Sequence, residues 1–115
     1  MRIIVTKMLR SQIMLAAAVT LAGAMCFAQE GTAVYKAKCA MCHGPEGIPS
    51  PALAKSMDIK PVTDPAIRAL TVAQIEAAVR NGKGKMKPVA GLSDAQVSAV
   101  SEYFKSLSNR GRRHK

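Results

Sequence analysis

Two stretches of the chain repeat apolar side chains at three- and four-residue spacing, and both open on the same device. Thr71 stands three positions before Gln74, and Ser93 three before Gln96. In that pairing a hydroxyl and an amide side chain satisfy each other's free backbone N–H groups at a helix start. Behind the first pair, Val72, Ile75 and Val79 share a helical face, Arg80 continues the pattern and Gly82 ends it. Behind the second, Val97, Val100, Phe104 and Leu107 form the stripe of an amphipathic helix that closes the fold. Residues 30–41, with Ala33, Val34, Ala37 and Ala40, predict a further helix. Ser50 before Pro51, and Asp64 before Pro65, each place a capping side chain ahead of a proline at the first helical position, so short helical turns are expected there. Between the last two helices, Asn81 to Pro88 is too rich in Gly, Lys and Pro to be regular structure. No β-branched strand run and no internal repeat interrupts this pattern. The expected class is all-α: three main helices plus short helical turns.

The N-terminus obeys a different logic. Arg2, Lys7 and Arg10 precede an apolar stretch from Ile13 to Phe27, and Cys26-Phe27-Ala28 has the build of a small-x-small cleavage site. Residues 1–28 therefore read as a secretory signal, with the mature chain starting near Gln29 and exported to the periplasm. A retained anchor is the weaker reading, because the stretch is shorter than the roughly 20 residues a spanning helix needs. Acylation of Cys26 is weaker again, since Met25 stands where a small residue is expected. What remains is one small domain, 29–109, followed by a basic tail, 110–115, expected to be disordered.

Of the formal charge of +10, the signal's three cations carry part, and +7 stays with the mature chain. Tyr35, Tyr103 and Phe104 are the mature domain's aromatics. A domain this small hides only roughly 60–65% of its unfolded surface, so something besides side chains must fill its centre. The chain without that filler is expected to be largely unfolded.

The filler is named by Cys39-Ala40-Met41-Cys42-His43, the C-x-x-C-H of a c-type haem attachment site. Its two thiols can each add across a porphyrin vinyl group, and His43 is then held beneath the macrocycle as proximal iron ligand. A thioredoxin-like pair would need a βαβ context. A zinc site would need four ligands, and His43 and His114 are the chain's histidines. A structural disulfide would leave His43 unexplained. For the opposite face of the iron, Met86 stands alone in the Asn81–Pro88 loop. Met57 is the competitor, and Met41, between the cysteines, cannot reach. A lone Met is ordinarily a gap-filling core residue; beside a haem it becomes a candidate thioether ligand. Two filled axial positions point to electron transfer rather than catalysis. The alternative is a haem enzyme or gas sensor with an open or labile sixth position. Such sites usually supply a polar distal donor, and no histidine lies between His43 and His114.

Together these residues resemble a small bacterial class I cytochrome c. Gly31, Tyr35 and Cys39 carry the Gly-x3-aromatic-x3-Cys spacing of that family's first helix, and Tyr103 in Glu102-Tyr103-Phe104 fills the aromatic slot of its last. The resemblance implies a cytochrome c fold around one covalent haem c, with the two helices crossing through Gly31, Tyr35 and Tyr103. Pro51-Ala52-Leu53 resembles the family's Pro-x-Leu, which implies that the Pro51 carbonyl accepts a hydrogen bond from the outer nitrogen of His43. Asn81-Gly82 through Met86 is similar to the axial-methionine loop, with one departure: Lys87 follows the methionine where many relatives have proline, and proline comes at Pro88. Lys83, Lys85 and Lys87 around Met86 suggest redox donor and acceptor proteins with an acidic docking face. Arg110, Arg112, Arg113 and Lys115 suggest peripheral attraction to anionic lipid. Nucleic acid is not an expected partner, the chain is expected to act as a monomer, and the third functional reading is a cytochrome subunit of a membrane oxidase or dehydrogenase complex.

Overall fold

A computed structural model of the chain describes residue 23 and residues 25–113. Most of the expected signal segment, residues 1–22 and 24, lies outside the described residues, as do His114 and Lys115 of the tail. Among the described residues six helices follow one another: α1 (25–38), α2 (Ala40–His43), α3 (Pro51–Met57), α4 (Pro65–Arg68), α5 (Val72–Asn81) and α6 (Asp94–Arg110). Among the described residues there is no strand, only an isolated antiparallel bridge between Lys83 and Met86, and no helix is long and apolar enough to cross a membrane.

The caps fall where the sequence places them. Ser50 accepts from the Leu53 N–H at 3.3 Å and Asp64 from the Ala66 N–H at 2.8 Å, each ahead of a proline in the first turn. Thr71 with Gln74, and Ser93 with Gln96, form reciprocal capping boxes at 2.9 and 3.2 Å. The first helix differs from its predicted span. It is already helical at residue 25 and breaks at Cys39, whose φ of −117° departs from the helix before α2 resumes. The C-terminus differs as well. Helix α6 runs on to Arg110, whose guanidinium lies 5.7 Å from the Tyr103 ring centroid, and hydrogen-bonded turns continue to Arg113. That stacking gives a residue of the expected disordered tail an ordered place.

Helices α1 and α6 cross where both carry their smallest surface. A Cβ on Gly31 would run into the Ala99 carbonyl and stand 3.3 Å from the Tyr103 Cβ, so a hydrogen here lets the two backbones touch. One turn on, Tyr35 is fully buried, its ring centroid 5.2 Å from that of Tyr103. Val34, Tyr35, Val62, Val100 and Leu107 form the core, with Cys39, Ile67, Leu92 and Phe104 packed against it. Helix α5 lies on α6 through the buried Ile75 and Val79. An exposed Arg80–Asp94 ion pair at 2.7 Å adds little to that packing. Lys105 ties α4 to α6 by donating to the Arg68 and Leu70 carbonyls, both at 2.7 Å.

Candidate functional site

The C-x-x-C-H motif is a single turn hung from α1. The Cys39 N–H still donates to Tyr35 in α1, the His43 N–H donates to Cys39, and the Gly44 N–H closes the turn on Ala40, at 2.9, 2.9 and 2.8 Å. Gly44 leaves the helix with φ +80°, and a side chain there would collide with Ile48. Its carbonyl accepts a 2.7 Å hydrogen bond from the buried Tyr35 hydroxyl. The end of the motif is thereby tied to the residue that fills the helix crossing.

Within this turn the two thiols differ. Both are free; Cys42 is exposed, whereas Cys39 is half-buried and its thiol is pushed up to about 11, mainly by burial and further by the neighbouring Cys42. His43 is half-buried with its ring edge-on to Phe104, centroids 5.6 Å apart. Burial lowers its affinity for a proton, which favours the neutral imidazole that ligates metals. Two free thiols on one turn and a neutral imidazole against an aromatic edge are the donor set a covalent haem requires. The residues fit the group. Met41 projects away, 88% exposed.

Met86 is mounted differently. The Lys83 and Met86 backbones exchange two hydrogen bonds of 2.9 Å, closing a tight turn with Gly84 and Lys85 at its tip. Gly82 and Gly84 take φ of +76° and +57°. A Cβ on Gly82 would stand 2.6 Å from the Met86 carbonyl and 2.9 Å from the Pro88 ring, so the displaced proline packs on the turn from one residue further along. Beyond it, the Val89 N–H donates to Val79 at 2.9 Å and returns the chain to α5. Met86 is half-buried, and a cleft of about 280 Å³ lined by Leu70, Gln74, Ala78, Gly82 and Lys83 opens beside the turn.

Two further site residues lie on α3. Pro51 is its exposed first residue, with no hydrogen bond to His43 among the described residues. Met57, the competing methionine, is its last and is 37% exposed. The Lys85 ammonium donates to the Ser56 carbonyl at 2.8 Å, which brings the ends of α3 and of the Met86 turn together. The sequence reading missed this bond and the contact of Phe104 with His43. Phe104 carried a signal, as the largest member of the α6 stripe; a lysine reaching a backbone carbonyl 29 positions away carries none.

Residues 27–104 match the model of a family described as cytochrome c oxidase, cbb3-type, subunit III. The chain belongs to this family of c-type cytochrome domains. Among solved structures it is similar to KustC0563 c-type cytochrome, at 22% identity and a TM-score of 0.59, over 67% of this chain and 95% of that one; at that identity the likeness speaks for the fold. No curated protein matches the chain. A small monohaem class I cytochrome c fold, a covalently bound c-type haem and haem-based electron transfer follow from the family.

Proposed function

We propose that this c-type cytochrome is an exported, monomeric one-electron carrier whose single haem is attached through Cys39 and Cys42 and ligated axially by His43 and Met86. The observation that carries the reading is the pair of ligand mounts: a contiguous turn bearing a neutral, aromatic-backed His43, and a glycine-hinged turn presenting a lone thioether. When bound, the haem supplies an iron(II)/iron(III) couple. The chain supplies the rest. A soft thioether favours iron(II), and burial among apolar side chains disfavours the extra charge of iron(III), so both raise the potential. The Pro51 carbonyl, which makes no hydrogen bond to His43 in this structure, is the acceptor proposed for the outer nitrogen of the ligated ring. With Met86 and His43 in place, an external ligand must first displace Met86, which separates this reading from a haem enzyme or gas sensor. The exposed Lys83 and Lys87 suit an acidic face on donor and acceptor proteins, with a rate that falls as salt rises. With residues 1–28 removed, the protein works in the periplasm, and its arginine-rich end adds attraction to anionic membrane surfaces. A second reading, a cytochrome subunit resident in an oxidase, draws its support from the family's description as subunit III of a cbb3-type oxidase.

Absorption spectra of the oxidised and reduced protein test the proposal. Sharp low-spin ferrous bands and the weak long-wavelength ferric band of thioether-to-iron charge transfer are expected, with the latter lost in Met86→Ala. A high-spin spectrum, or an immediate shift of the wild type on adding carbon monoxide, would overturn it.

A further inference from the structure

We infer that Lys85 is the latch that holds Met86 in place: by donating to Ser56, it fastens the methionine turn to the C-terminal end of α3 and slows displacement of the thioether. The inference rests on Met86 being the sixth ligand and adds how it is retained.

The turn has little else to hold its tip. Its two internal hydrogen bonds close it upon itself, and its return bond from Val89 to Val79 lies beyond its base. Gly84, at the tip, has nothing within 4 Å of where a Cβ would be and sits at positive φ. A peptide hinged on two glycines can swing, because glycine crosses between positive and negative φ at little cost. Across the tip, the Lys85–Ser56 bond at 2.8 Å is the long-range hydrogen bond recorded there, joining residues 29 apart. The acceptor is well chosen. Ser56 lies in the last turn of α3, where carbonyls lack partners within the helix and carry the negative end of its dipole. A cation there gains from the bond and from the dipole together. Helix α3 is itself fixed at both ends, by the Ser50 cap and by the Asp58 N–H donating to Ala54. The bond thus transfers the rigidity of a capped helix to a flexible turn.

This divides the three lysines of the loop. All three are exposed, but Lys83 and Lys87 are left to docking, whereas Lys85 directs its ammonium to a carbonyl of its own chain. The same substitution should therefore do different things at the three positions.

The test follows displacement of the thioether by added imidazole in the oxidised holoprotein, at constant pH, by loss of the charge-transfer band. The wild type must show that band and Met86→Ala must lack it; if the wild type lacks it, the ligand reading falls before the latch is tested. Given the band, Lys85→Ala should retain it at rest and lose it to imidazole roughly threefold to tenfold faster, as expected for one charge-assisted hydrogen bond at the surface. Lys85→Arg should restore most of the wild-type rate, and Lys83→Ala and Lys87→Ala should leave it unchanged. Equal rates for all three alanine variants would overturn the latch, as would failure of arginine to rescue.

Discussion

The two proposed ligand mounts are built on opposite principles. His43 is fixed by its neighbours in sequence: one turn, entered from α1 through the Cys39–Tyr35 bond and closed by Gly44, whose carbonyl is held by Tyr35. Met86 is fixed by distant contacts: a turn hinged on Gly82 and Gly84, clipped to α3 through Lys85 and returned to α5 through Val89. The first mount is closed by hydrogen bonds between residues no more than nine positions apart and tolerates little change. The second is held by a few hydrogen bonds and hinged on glycines, the kind of segment that opens locally at lower cost than the whole domain. In the proposed ligation this asymmetry gives a permanent side to keep the cofactor and an adjustable side to hold the sixth ligand.

The largest effect should come from the permanent side. Cys42→Ala with Cys39→Ala should abolish covalent haem, seen as loss of haem-stained protein on a denaturing gel, whereas Met86→Ala should retain the stain. Equal retention in both would erase the proposed distinction between mounts. Next comes the helix crossing that supports His43. Gly31→Ala drives a methyl group into the Ala99 carbonyl and should cost about 1–3 kcal/mol despite the better helix propensity of alanine. The measurement is thermal unfolding of the holoprotein, and an unchanged midpoint would mean the crossing is looser than described. The smallest effect should come from acid. Burial keeps His43 less basic when folded than its ordinary 6.5. The unfolded chain therefore binds the extra proton first as pH falls. In the holoprotein, where ligation to iron would likewise keep this imidazole unprotonated, stability should be intact above that ordinary value and decline below it, in a denaturant titration run across that window.

Elements encoded by adjacent residues were legible in the sequence. Both capping boxes, both Ser/Asp-Pro starts and the motif turn each involve residues within four positions, so local chemistry decides them. The crossing through Gly31, Tyr35 and Tyr103 came from resemblance, and the structure supplies its reason in the contact between backbones. What escaped depended on the third dimension. The break at Cys39 arises where α1 hands over to a turn held from outside by Tyr35. The order beyond Asn109 depends on Arg110 finding Tyr103 and on Gly111 fitting beside Thr63 and Arg68. The Lys85–Ser56 bond joins a side chain to a carbonyl, and any residue type supplies a carbonyl.

The crossing of α1 with α6 also has a consequence for the order of events in synthesis. The turn that carries the attachment motif leans on Tyr35, and Tyr35 leans on Tyr103 and Val100 from the last helix. A ribosome delivers the motif some sixty residues before the partner that completes its frame. In a chain exported N-terminus first, the thiols would thus cross the membrane ahead of the last helix and be open to whatever delivers the porphyrin, and the scaffold would close over them only when that helix follows.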